Sequence, residues 1–359
     1  MYGRAVASAR ERGRCRERLR CLGDSRLDSE SIQREAIAEL QRVIGFDRWC
    51  WVLADPETLI PLGGVAEHDY GPAVARSLEL EYSGVDFVAM DVIARRISPV
   101  GSLSGDTGGD LARSPRWDEV LRPVGIGDEA VLACRDALGC WGWIKAYRDR
   151  ADPGFAQGDL DLLAEVGPGL GSALRRRISG AGGDGIAAPS PPGVIVLDRE
   201  LRPISQTPGA RRWIEALPAA ALFAAWGILP AVVYPVAALA RSRNASAGAH
   251  ALERAVDGRW VKIEAAPLEG ETGERIAVVL RAAAPNETFE LLCRAHALTD
   301  REHQVVAALV AGFDTRAITE RLVISRHTVQ DHLKSVFAKV GVRSRRELLA
   351  RFSATADST

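Results

Sequence analysis

The chain has 359 residues, 47% of them hydrophobic, and a formal net charge of −1, which is enough material for two or three ordinary domains. No apolar run approaches the roughly 18 residues that a membrane span needs, and the Arg-rich start lacks the apolar stretch of a cleavable signal, so a cytoplasmic protein is expected. The charge is uneven: residues 1–26 hold eight Arg against three acids, residues 296–352 hold ten Arg and Lys against six Asp and Glu, and the rest is acidic. An acidic body with a basic C-terminal part suits a protein in which one region alone meets a polyanion.

In chain order, residues 1–27 carry Arg at positions 4, 10, 12, 14, 16, 18, 20 and 26 and read as a basic disordered tail. Ile32, Ala36, Leu40, Val43 and Ile44 then recur at helical spacing up to Gly45, and Trp49 to Leu53 is a strand-like run closed by Asp55-Pro56. Ala130 to Cys134 and Cys140 to Tyr147 read as two strands around Asp136-Ala137-Leu138-Gly139. A helix from about Asp159 carries Leu160, Leu163, Val166, Leu170 and Leu174, with a kink or break expected at Gly167-Pro168-Gly169. The pairs Trp49 with Trp51 and Trp141 with Trp143 alternate, so each pair is expected to share one sheet face. They would wall a pocket for an apolar or planar ligand or, in the commoner use, fill a core. The order helix, strands, loops, strand pair, helix over 28–178 resembles a GAF domain, which implies a sensory α/β module with a ligand pocket on one sheet face.

The six cysteines show no C-x-x-C pairing, so neither a zinc site nor a disulfide framework is indicated. Cys134 and Cys140 flank the turn and could bridge, but buried reduced thiols are the preferred reading. Residues 179–192, SGAGGDGIAAPSPP, form a linker by composition. Gly193 to Asp198 and Leu201 to Ser205 suggest a hairpin, and Thr207-Pro208 opens a helix through Trp213 and Leu217. Trp260 to Ala265 and Ile276 to Leu280 are strands joined by a Gly-rich turn. This arrangement over 193–282 is similar to a PAS domain, with Thr207 where many PAS domains have Asn before the Pro. Residues 283–295 are read as a second linker.

From 296 to 356 each helix start and stop is chemically marked. Thr299 and Glu302 make a T-x-x-E capping box, Val305, Val306, Leu309 and Val310 follow at helical spacing, and Gly312 ends the helix. Asp314 caps a short second helix with Ile318 and Leu322. The apolar turn Leu322-Val323-Ile324 leads to Ser325, cap of a third helix whose Val329, Leu333, Val336, Phe337 and Val340 share a face up to Gly341. Ser344 and Glu347 box a fourth helix with Leu348, Leu349 and Phe352. Two short helices around a tight turn make a helix-turn-helix. The other faces of the third helix carry Arg326, His327, Thr328, Gln330, Asp331, Lys334 and Lys339, residue types that meet phosphates and base edges. Arg343, Arg345 and Arg346 make a second phosphate patch.

These residues resemble the C-terminal helix-turn-helix of LuxR-type transcription regulators. The match runs through Leu298-Thr299-Asp300-Arg301-Glu302, Gly312, Ser325, Thr328-Val329, His332-Leu333, Lys339, Gly341-Val342, Arg345 and Leu348. Two departures are Thr319, where the family's second helix usually has a small residue, and Gln330, where it often has Lys. The resemblance implies that Gln330 and Lys334 face bases while Thr328 and the Arg343–Arg346 group hold the backbone. Leu348, Leu349 and Phe352 are then candidate dimer contacts, unless they pack against the first helix of the module.

Enzyme chemistry finds no support: H-E-x-x-H, G-x-S-x-G and P-loop patterns are absent, and the glycines at 167, 169 and 171 come after a helical pattern rather than after a strand, which speaks against a dinucleotide site. No metal or cofactor is implied. The chain thus reads as multidomain α+β, two α/β sensory-type domains followed by an all-α four-helix domain. The expected function is sequence-specific regulation of transcription through double-stranded DNA, as a homodimer, with a small-molecule ligand in an upstream domain. The alternative is a signalling scaffold that uses the same domains for protein contacts.

Overall fold

The fold is described from a computed structural model, over residues 7–25, 27–67, 70–180, 191–242, 249–269 and 274–353. Its first element corrects the expected tail. Residues Ala9–Gly23 form helix α1, opened by a reciprocal capping box between Ser8 and Glu11. Cys15 and Leu19, one turn apart, are buried against α2 (Ser29–Ile44), which Gly45 ends as expected. Three of the arginines that suggested a solvated tail find acids on other helices: Arg12 meets Asp159 at 3.4 Å, Arg16 meets Glu165 at 2.5 Å, and Arg18 meets Glu39, while Arg4 and Arg26 lie outside the described residues.

The first sheet unit continues through β1 (Arg48–Ala54), β2 (Pro61–Glu67), α3 (Ala73–Glu81), α4 (Met90–Arg95), β3 (Val100–Ser102), α5 (Leu103–Asp106), a 3-10 turn and a π-turn over 111–121, β4 (Ile126–Asp136), β5 (Gly139–Asp149) and α6 (Gln157–Gly180). Its five strands are antiparallel in the order β2-β1-β5-β4-β3. The helices α1, α2 and α6 cover one face over Trp49, Trp51 and Trp141; α3 and α4 cover the other over Trp143. Trp141 and Trp143 therefore lie on opposite faces, contrary to the expected sharing. The reason is a bulge: Ala133 pairs with Trp143 and Arg135 with Cys140, so two residues of β5 stand against one of β4 and side-chain alternation reverses. The same reversal sends Cys134 and Cys140 into different clusters as free thiols. All four tryptophans are at most 2% exposed and serve as core.

The expected break at Gly167-Pro168-Gly169 does not occur, since α6 runs unbroken through Pro168. Pro168 lies on the solvent side, where water can satisfy the carbonyl that loses its partner. Gly171 lies on the other side, so close to β4 that a Cβ there would stand 2.7 Å from the Cys134 carbonyl oxygen.

The second sheet unit comprises β6 (Gly193–Leu197), β7 (Pro203–Gln206), α7 (Pro208–Ala216), α8 (Ala220–Ala225), α9 (Val233–Arg241), β8 (Ala249–Arg254), β9 (Trp260–Leu268) and β10 (Arg275–Ala282). Thr207 caps α7 ahead of Pro208, and the antiparallel order is β7-β6-β10-β9-β8. The expected linker over 179–192 lies largely outside the described residues. The two units share one apolar cluster and are tied by polar bonds. The Leu252 N–H donates to Asp55 at 2.8 Å, the Gly63 N–H donates to Glu253, and Arg241 pairs with Glu79 at 2.8 Å.

The second expected linker, over 283–295, is also corrected: Pro285–Ala295 is helix α10. Pro285 occupies the first turn and the Glu287 carboxylate accepts from the Ala284 N–H at 2.7 Å. Its apolar residues make one wide stripe that two neighbours share. Leu291 and Ala295 join the helical side of the first unit, while Phe289, Leu292 and Cys293 join the C-terminal core. Four helices follow: α11 (Asp300–Val310), α12 (Thr315–Leu322), α13 (Arg326–Val340) and α14 (Arg345–Ser353). Among the described residues no helix is long and apolar enough to cross a membrane.

Candidate nucleic-acid interface

The C-terminal module is assembled by its caps. Thr299 and Glu302 close their reciprocal box on α11, Asp314 accepts from the Ala317 N–H at 2.8 Å, and Ser325 accepts from the Thr328 N–H at 3.0 Å. Gly341 ends α13 in a left-handed conformation. Val329, Leu333, Val336 and Val340 are buried, with Phe337 partly so, against Val305, Leu309 and Ile318. This fixes the rotation of α13 about its axis. Arg326, His327, Gln330, Asp331 and Lys334 consequently lie exposed on the opposite side. Thr328 is half-buried, and its hydroxyl meets that of Ser325 at 2.9 Å. His327 approaches Asp331 at 3.5 Å, one turn along the exposed face.

Residues 296–352 match the family described as bacterial regulatory proteins, luxR family. No curated protein matches the chain. The matched segment contains the caps, the turn and the whole of α13, so the luxR-family module is the part of the chain that carries the polar face.

Several candidate residues of the module have structural employment. Lys339 does not project from the exposed face: its ammonium meets Glu302 at 2.6 Å and donates to the Ala297 carbonyl at 3.0 Å. The Ser335 hydroxyl donates to the other Glu302 oxygen at 2.6 Å. Against the opposing effect of burial, these bonds and the cap hold the Glu302 carboxyl at about 2. One carboxylate thus caps α11 and locks α13 onto it, a role visible in sequence only as the one-turn spacing of Ser335 and Lys339. Arg345 is half-buried and donates to the Phe313 carbonyl, so of the expected phosphate patch Arg343 and Arg346 are the exposed members. Thr319, the departure in α12, turns its hydroxyl back to the Arg316 carbonyl at 2.6 Å.

Of the three expected dimer contacts, Leu348 and Phe352 are packed within the chain, the alternative that the sequence also allowed. Leu348 is fully buried and Phe352 is 1% exposed, the latter with its ring 5.5 Å from that of Phe289 on α10. Leu349 is only partly buried. The apolar side of α14 is occupied by α11, as the alternative expected, together with α10, a helix that the reading of 283–295 as linker concealed. Beside this contact His296 is buried, its Nδ1 3.4 Å from the Lys339 carbonyl, and burial pushes its pKa down to about 4.

Proposed function

We propose that the protein binds double-stranded DNA through α13 and regulates transcription, with the upstream units acting on the module through α10. The observation that carries the first part is the division of α13: one side is locked into the core, and the other presents Arg326, His327, Gln330, Asp331 and Lys334 exposed among the described residues. Gln330 suits adenine, Lys334 guanine and Asp331 the cytosine amino group. Arg326, His327 and Thr328 at the helix start, with Arg343 and Arg346, suit phosphates. The local positive bias supplies sequence-independent attraction.

What supports the second part is the position of α10. It begins in a charged tetrad with the second sheet unit, in which Glu287 meets Arg281 at 2.7 Å and Lys262 at 2.8 Å, and Arg281 meets Glu264 at 3.0 Å. It ends where Arg175 of α6 donates to the Ala295 carbonyl at 3.0 Å. Both sheet units therefore hold the helix that packs on α14. In this reading the units are GAF-like and PAS-like sensors, and a small-molecule ligand in one of them shifts α10. The protein acts on DNA as a homodimer, its contacts lying outside Leu348 and Phe352.

Fluorescence anisotropy of the full chain on duplexes selected from a randomised pool tests the reading. Binding that falls by roughly 0.9 in log K per phosphate contacted, per decade of salt, is expected. Lys334→Ala should weaken it by about 1–3 kcal/mol if the lysine reaches a base edge. Failure of the full chain to enrich any duplex would refute the DNA-binding role and favour a scaffold.

A further inference from the structure

Five residues other than glycine hold a left-handed backbone among the described residues: Leu59, Leu201, Ala219, Ala297 and Val323. There the side chain crowds its own backbone, and a β-branched residue is the worst fit. Leu59 and Leu201 are buried, so core packing offsets their strain, and the two alanines have the smallest side chains to accommodate. Val323 differs on both counts. It caps α12 at φ +54° and ψ +51°, its N–H donating to the Thr319 carbonyl, at a kind of position that Gly312 and Gly341 fill elsewhere in the module. Its side chain is β-branched, yet the residue is 88% exposed, so packing within the chain does not offset the strain.

Strain of this kind persists where function uses it, and the inference runs from the outlier to the role. Val323 stands two residues before Ser325, the cap of α13, and three before Arg326. It is an apolar group at the edge of the polar, basic end of the helix. A partner that fits must offer apolar carbon beside anions. Duplex DNA does so twice, through the thymine C5-methyl in the major groove and through the deoxyribose between phosphates.

We propose that Val323 is a DNA-contact residue, whose isopropyl group packs against an apolar part of the duplex when the start of α13 docks. The proposal rests on the DNA-binding reading above and assigns the turn, as well as the helix, a share in recognition. It is tested with the full chain, a duplex selected by the wild type from a randomised pool, and the variants Val323→Gly and Val323→Asn, both of which accept a left-handed backbone. Each variant should unfold no earlier than the wild type yet bind roughly three- to tenfold more weakly, the weight of one or two methyl groups returned to water. Replacing thymine by deoxyuridine separates the two sources. A loss in the wild type that the Gly variant does not share marks a thymine methyl, and no loss in either marks the deoxyribose; both uphold the contact. Wild-type affinity in the Gly variant, with Lys334→Ala still weakened, overturns the contact and leaves the DNA-binding reading standing. Weak binding by the Gly variant but full binding by the Asn variant overturns it in favour of turn rigidity. If the wild type enriches no duplex, both fall.

Discussion

The two sheets run their strands in the same order, second, first, fifth, fourth, third within each unit, but their interiors differ in kind. Beneath α3 and α4 the first unit encloses three carboxylates and two cations. Arg116 joins Asp86 at 2.6 Å and Glu129; Lys145 joins Glu81 at 2.7 Å and Glu129 at 3.5 Å. None of these side chains is more than 6% exposed. Burial raises the Glu81 carboxyl, whereas Arg116 overcomes burial to hold Asp86 and Glu129 low. Under α9 the second unit encloses Ile195, Val233, Val236, Val261, Ile263, Val278 and Leu280. Strand order thus constrains connection and twist, while the filling follows other demands. An ion network is a poor source of net stability but a strict one of geometry, because every member must find its partner.

The difference is largest where a partner is removed. Lys145→Met should cost about 3–5 kcal/mol in urea unfolding, since Glu81 is left in the interior without its cation and Glu129 keeps only Arg116. A loss below about 1 kcal/mol would mean that the carboxylates take up protons freely, and the contrast between the interiors would collapse. In the second unit Leu280→Ala should cost about 3 kcal/mol through lost burial and a cavity. That loss should be the same at pH 5 and pH 8, because nothing titratable replaces the leucine. A marked pH dependence there would break the comparison from the other side.

Between the units lies Glu253, whose carboxylate accepts from the Gly63 N–H and whose pKa burial pushes up to about 7 from an ordinary 4.5. The folded chain therefore keeps a proton that the unfolded chain gives up between those values. Glu253's contribution is fully present below about pH 4.5, declines as pH rises, and is lost once pH passes about 7. Glu253→Gln keeps the acceptor and removes the charge, so it should stabilise the chain by about 2 kcal/mol at pH 8 and leave it nearly unchanged at pH 5. Equal effects at both pH values would show that the seam admits water to the carboxylate.

Much of the luxR-family module was legible because its signals are local: Thr299 with Glu302, Asp314, Ser325 and Gly341 sit within a turn of the groups they cap. The strands were legible from their apolar runs. What escaped depends on partners distant in sequence. Arg116 and Glu81 look like surface residues until the fold brings them together; the signal available was Lys145 inside the apolar strand around Trp143 and Ile144. The bulge that parts Trp141 from Trp143 is marked in sequence only by Gly142, the glycine inside the strand, where a Cβ would stand 2.6 Å from the Val52 carbonyl oxygen. The helix α1 was hidden because it buries few positions among arginines, whereas the stripe of α10, Phe289, Leu291, Leu292, Cys293 and Ala295, was there to be read and was passed over as linker. Of the candidate interface, the rotation of α13 followed from its stripe, whereas the inward turn of Lys339 and Arg345 followed only from the acceptors waiting for them.

The smallest expected effect concerns how the second unit holds α10. Hydrogen bonds from Arg281 first, and from Lys262 and the Ala284 N–H, outweigh burial and hold the Glu287 carboxyl at about 2. A carboxyl lowered in this way stabilises the fold above its ordinary range near 4.5, and the benefit drains away as pH falls through about 2. That is the opposite sense to Glu253, so acid should loosen the hold on α10 while alkali loosens the seam between the sheets. Glu287→Gln should cost about 1 kcal/mol at pH 7, a modest amount because the tetrad is partly open to water, and the penalty should shrink as the pH is taken toward 2. Hydrogen exchange locates the effect: the amides of α10 should lose protection in the variant while those of α9 keep theirs. Uniform loss across both would mean that α10 is an integral part of the second unit rather than an element that two units hold in common, and the route proposed from sensor to DNA would lose its hinge.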